Sequence, residues 1–147
     1  MKTRASEHGN QSRGERIRGR VSVERGLNSN LLDDPRDTTT PEAMIATMQK
    51  ILIGNALPSE AREILIGWLK NCRSGLRRLR AGLPQAWVIG DKRGTGPRGA
   101  ANDIAVAWPP RRPPLLIASY VSDSGAAPDA LDAAHARIGG IVAAAFS

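Results

Sequence analysis

The chain has 147 residues, about one domain's worth, and its 41% hydrophobic but only 3% aromatic content rests any core on Leu, Ile, Val and Ala. A net charge of +7 raises anionic partners as a possibility, but the bases are overwhelmingly arginine, a bias that also accompanies GC-rich genes. Cys72 is the only cysteine, and His8 and His135 stand far apart without a companion cysteine, so an internal disulfide is excluded and no metal or cofactor is expected.

Residues 1–20 are polar and arginine-rich without hydrophobic period, and read as a disordered basic tail. No aromatic residue interleaves with those arginines to stack on bases, so nucleic acid is not the expected partner. The tail has no apolar stretch for a secretory signal, and no run in the chain reaches the length of a membrane span. As written, the chain is expected to stay in the cytoplasm and off membranes.

Residues 21–39 read as an ordered loop. Val21, Val23, Leu27, Leu31 and Leu32 can anchor it, and Asn28, Asn30, Asp33, Asp34 and Pro35 supply turns. "TTTPEAM" then starts a helix, with Thr40 as cap, Pro41 in the first turn and Glu42 at the positive end. Its apolar face is Met44, Ile45, Met48, Ile51 and Leu52, and Gly54 ends it. A second helix begins at Ser59, with Ala61, Ile64, Leu65, Trp68 and Leu69 as its expected buried stripe. Residues 75–83 form a short basic turn carrying Arg77, Arg78 and Arg80.

Three strands follow, over 86–92, 102–108 and 115–121. The last two are joined by the rigid "PPRRPP". Pro128 and Asp129 open a final helix whose apolar face is Leu131, Ala134, Ile138 and Val142. Gly139 and Gly140 either weaken this helix or permit close packing. The order of parts is helices, then three strands, then a final helix.

Three stretches add a stronger signal: "ERGLN" at 24–28, "DPRDTTTPEAM" at 34–44, and "AGLPQAWVIGDKRGTG" followed by "NDIAVAWPP" at 81–110. In this order and spacing, the chain from about Glu24 onward resembles the C-terminal half of a class A (serine) β-lactamase. The resemblance implies an α+β or α/β sandwich, a partial β-lactamase/transpeptidase-like fold over 21–147 with three antiparallel strands and flanking helices, and a β-lactam as ligand. Glu24 and Asn28 fit the family's loop motif, which holds the water that attacks the acyl-enzyme; a carboxylate takes the proton and an amide fixes the water. Lys92-Arg93-Gly94 stands where the family has Lys-Thr-Gly or Lys-Ser-Gly. Lys92 would attract the β-lactam carboxylate, Gly94 would let the ligand approach the strand, and the Thr95 N–H would form half of an oxyanion hole. Arg78 fits an alternative carboxylate-binding arginine, with a plain surface arginine as the competing reading.

The departures are as informative. The residues three before Lys50, Lys70 and Lys92 are Thr47, Gly67 and Ile89, so no Ser-x-x-Lys nucleophile is present. Thr47 reads as an ordinary helix residue. Ser122-Asp123-Ser124 is the nearest string to the family's Ser-Asp-Asn, and lies after the third strand. Ser22 stands where the family often has an arginine paired with the residue at Asp37. Arg25 replaces a common proline, and Arg93 replaces a small hydroxyl residue. The expected protein is a truncated β-lactamase, inert alone, poorly stable, and in need of a complementing N-terminal half. The abrupt start of the resemblance suggests a shifted reading frame. Two other readings are a basic fragment binding nucleic acid through its tail and a remnant of a penicillin-binding transpeptidase, which the Glu24–Asn28 loop argues against.

Overall fold

The structure, a computed structural model, describes residues 38–146. The basic tail, Glu24, Asn28 and Asp37 lie outside the described residues. Helix α1, Pro41–Met48, starts as its sequence dictates: Thr40 Oγ1 accepts the Ala43 N–H at 3.1 Å, Pro41 opens the first turn and Glu42 faces the positive end. It runs directly into a wider π turn, Gln49–Ile53, closed by the Gly54 N–H on the Gln49 carbonyl. Helix α2, Ser59–Asn71, returns beside it, and its Arg62 donates to the Ile53 and Gly54 carbonyls freed at the end of that turn.

The sheet is antiparallel in the order β1-β2-β3, with β1 at Val88–Thr95, β2 at Ala101–Trp108 and β3 at Leu115–Val121. Strand β1 starts later and runs further than its apolar residues suggest. Its ladder with β2 continues through Arg93↔Asp103 and Gly94↔Asn102 to Thr95↔Ala101. The Lys92-Arg93-Gly94 triad is therefore paired strand rather than the loop beyond one. Backbone pairing to a buried neighbour holds these exposed residues extended. Among the described residues, β1 and β3 each keep one edge without a strand partner.

Strand β2 divides the interior. Ile104, Val106 and Trp108 point to one face, where they meet Met44, Ile45, Met48, Ile51 and Leu52 of α1 and its π turn. Ala105 and Ala107 point to the other face, against Leu79, Leu83, Trp87 and Ala143. The second face is covered by α3, Leu79–Gly82, and α4, Pro128–Phe146. The architecture is a three-layered α/β/α arrangement on an antiparallel sheet.

Two apolar stripes sit differently from the sequence reading. In α2 the packed side chains are Leu65, Ile66 and Leu69, while Trp68 is 70% exposed and Ile64 and Ala61 are also at the surface. The stripe is rotated by one residue toward Ile66, with Leu69 closing on Gly90 of β1, where a Cβ would lie 2.9 Å from the Leu69 Cβ. Lys70 still lies over the Trp108 ring, 4.7 Å from its centroid. In α4 the buried residues are Leu131, Asp132, His135, Gly139 and Ala143, while Ala134 and Ile138 face outward. Close backbone contact sets this rotation. A Cβ on Gly139 would overlap the Leu79 carbonyl, and one on Gly82 would overlap the Ala136 carbonyl. The two glycines allow α3 and α4 to touch, and two polar side chains of α4 turn inward with them.

Candidate ligand-binding site

The exposed end of β1 carries Lys92, Arg93, Gly94 and Thr95. Strand alternation puts Lys92 on the α2 side of the sheet and Arg93 and Thr95 on the α3/α4 side. All four line an edge that has no strand partner among the described residues. Lys92 Nζ donates to the Arg93 carbonyl at 2.8 Å, which keeps the ammonium close to its own strand.

Arg78 comes to this edge from the turn before α3. It is not a surface residue: only 3% of it is exposed. Its Nη1 donates to the carbonyls of Gly94 (2.9 Å) and Asn102 (2.8 Å), its Nη2 to Thr95 Oγ1 (2.9 Å), and its Nε to Asp132 Oδ1 (2.7 Å). Of the five donors of a guanidinium, one on Nη2 is left over. The bond to Thr95 fixes a polarity. The hydroxyl oxygen accepts from a permanent cation, so its own hydrogen is free to point outward. The same strand end thus carries the Lys92 ammonium on one face and the Arg93 guanidinium and the oriented Thr95 O–H on the other, donor types from which a carboxylate or similar anion accepts.

Helix α4 supplies the counter-charge. The hydrogen bond from Arg78 holds the Asp132 carboxyl below its ordinary range, with Arg77 and Arg93 adding to the effect. One turn later, His135 is completely buried, with its Nε2 3.0 Å from the Ala101 carbonyl. That carbonyl can only accept, so Nε2 carries the hydrogen. Burial pushes the imidazole below its usual value and keeps it neutral. His135 therefore anchors α4 beneath the end of β2, one residue away from Asn102.

The structure brings Arg78, Gly94 and Thr95 into direct contact and places Lys92 and Arg93 on the same edge. Asp132 and His135 escape sequence reasoning because they lie far along the chain and within a helix read as apolar. Their only local signal is a charge and an imidazole at helical spacing beside Leu131 and Gly139. The two strings set aside in the sequence have structural duties. Thr47 Oγ1 donates back to the Ala43 carbonyl at 3.0 Å, within its helix. Asp123 pairs with Arg98, and Ser124 Oγ accepts the Ala126 N–H.

The profile of the β-lactamase enzyme family matches residues 4–146. The chain belongs to that family. The match includes residues 4–20, ahead of the motifs that carry the sequence resemblance. Among curated relatives, the family member Toho-1 of Escherichia coli is 48% identical over 94 residues, 64% of this chain and 32% of the relative. OXY-1 of Klebsiella oxytoca is 47% identical over 98 residues, 67% of this chain and 34% of the relative. Among solved structures, an ancestral class A β-lactamase (GNCA) superposes with a TM-score of 0.85 at 46% identity, covering 88% of this chain and 50% of that one. A second ancestral class A enzyme, that of the last common ancestor of Gram-negative bacteria, gives 0.85 at 47%, with 89% and 50% covered. The family member described here spans about a third of the curated relatives it matches and half of the solved structures, aligning with their C-terminal half.

Proposed function

We propose that this chain carries the carboxylate-recognition edge of a class A β-lactamase site, and that it hydrolyses β-lactams only when an N-terminal half supplies the nucleophile. The observation that carries this reading is the Arg78–Thr95 hydrogen bond. It orients a hydroxyl outward on the same strand end that carries Lys92, where a carboxylate-bearing ring would dock. Arg78 acts through Thr95 and the Gly94 carbonyl rather than as a contact residue, since its guanidinium is buried. Lys92 attracts the anion, and Arg93, larger than the hydroxyl residue it replaces, adds charge at the rim. Glu24 and Asn28 then serve as the base and the amide that direct water at an acyl-enzyme.

Ser-x-x-Lys is absent from the 147 residues, and the acylation step needs an activated hydroxyl, so the nucleophile has to be supplied from outside them. The test is hydrolysis of a chromogenic cephalosporin by the purified chain, alone and mixed with a separately expressed N-terminal half of a relative such as Toho-1. Turnover only on mixing supports the proposal. Turnover or covalent penicillin labelling by the chain alone defeats the dependence, and no turnover on mixing defeats the shared site.

A further inference from the structure

Asp91 and Asp103 are carboxylates that the anion-binding edge does not use. Both are fully buried, and both point to the α3 side of the sheet. Asp91 stands opposite Ala105 and Asp103 opposite Arg93, so the two are diagonal neighbours on one face. Each has one oxygen engaged. Asp91 Oδ1 accepts from Arg80 Nε at 2.6 Å and pairs with Arg80 Nη2 as well. Asp103 Oδ2 accepts the Leu79 N–H at 3.0 Å. The other oxygens, Asp91 Oδ2 and Asp103 Oδ1, have no hydrogen-bond partner among the described residues. Both face Gly75. A Cβ there would overlap Asp91 Oδ2 and lie 3.4 Å from Asp103 Oδ1. Two unsatisfied acceptors therefore close on one small gap, roofed by the only residue type that leaves it open.

Two acceptors cannot satisfy each other without a hydrogen between them. We propose that Asp103 carries a proton on Oδ1 and donates it to Asp91 Oδ2, so that the pair holds one negative charge against Arg80, and that the 72–78 connection closes over the pair in this state. The surrounding charges fit this assignment. From α3, Arg80 bonds Asp91, whereas Asp103 receives only a backbone N–H from that side. Burial raises the Asp91 carboxyl too, but Asp91 has Arg80 bonded to it and Lys92 next in the strand to favour its anion, cations that Asp103 does not bond. Arg78 acts on Asp103 without bonding it. From α4, His135 and Asp132 are engaged by the Ala101 carbonyl and Arg78 instead. From α2, Leu69 and Lys70 present only carbonyls, which accept from Arg80 Nη2. From β3, the residue opposite Asp103 is the neutral Ser119. Burial pushes the Asp103 carboxyl up to about 6, with the Asp91 charge adding to the effect. Ionisation of both groups places two charges beneath Gly75. It loosens a connection that leads directly into Arg78, and so couples pH to the ligand-binding edge.

The test is a pH titration of the full chain labelled with ¹³C at the aspartate carboxyls. The expected result is one aspartate step with a midpoint near 6, absent from the Asp103→Asn variant. Asparagine keeps an acceptor for the Leu79 N–H and offers an N–H donor to Asp91 Oδ2, so the variant retains the closed connection. Amide exchange over 73–79, corrected for base catalysis, is expected to accelerate severalfold between pH 5 and pH 7.5 in the parent and to stay level in Asp103→Asn. Aspartates that all titrate near 4, as in a free or unfolded peptide (~3.9), overturn the proposal. So does a step near 6 that survives in Asp103→Asn, or exchange that accelerates equally in both proteins.

Discussion

Arg78 and Asp132 are 54 residues apart in sequence and share a 2.7 Å hydrogen bond in the interior. The pair links the turn before α3 to α4, and through Arg78 it reaches Thr95. Removing the carboxylate leaves a guanidinium buried without its counter-charge. Asp132→Ala is expected to destabilise the chain by roughly 3 kcal/mol, the cost typical of breaking a buried pair from one side. Urea unfolding measures it, and a midpoint equal to that of the parent refutes the role given to Asp132.

The glycines give a pair of opposite expectations. Gly139→Ala drives a methyl into the Leu79 carbonyl, so it should destabilise by about 1–3 kcal/mol despite alanine's better helix propensity. Gly67→Ala lies in α2 with nothing within 4 Å of the new Cβ. It should stabilise by up to about 1 kcal/mol. Thermal melts of the two variants decide this, and shifts of the same sign count against the packing described.

Histidine and aspartate oppose each other as pH changes. The folded state holds His135 neutral, with its pKa below the ordinary 6.5, so its contribution is fully present above that value and is lost as pH falls toward the folded pKa. Asp103 is raised to about 6 from an ordinary 3.8, so its contribution is present below 3.8 and is lost as pH rises through 6. His135→Gln should therefore leave stability falling monotonically between pH 4 and 6.5. Asp103→Asn should flatten that fall over the same window, because only Asp91, also raised by burial, is left to oppose His135. Denaturation midpoints at several pH values read both slopes, and a parent-like profile in either variant contradicts the assignment.

The tryptophans separate the exposed face of α2 from the core. Trp87, 8% exposed, packs in the α3/α4 layer, and its replacement by alanine should cost about 3–5 kcal/mol. Trp68→Ala should stay within about 0.5 kcal/mol of the parent. In single-tryptophan versions, iodide should quench Trp68 strongly and Trp87 weakly. Equal quenching would return Trp68 to the interior.

The sequence shows these features unevenly. Thr40, Pro41 and Gly54 marked the first helix because caps and stops act within a few residues. Ile104, Val106 and Trp108 showed one face of β2 by simple alternation. The triad at Lys92 and the arginine at 78 were visible through family resemblance, although the burial of Arg78 was not. Its partners come from three other elements, and no local pattern encodes them. Asp103 did leave a trace: a lone acid at an inward position of an alternating strand calls for a partner or a proton. The stripes of α2 and α4 differ from the apolar pattern because an apolar count cannot sense the Gly82–Gly139 contact or the close approach of Leu69 to Gly90.

The two faces of β2 have incompatible tastes. Sliding that strand by one residue would turn Asp103 toward Met48 and Leu52, and force Ile104 and Trp108 against the close-packed glycines of the opposite layer. Neither side can accommodate the exchange. The middle of the sheet is thus keyed, and the chain has one way to thread it.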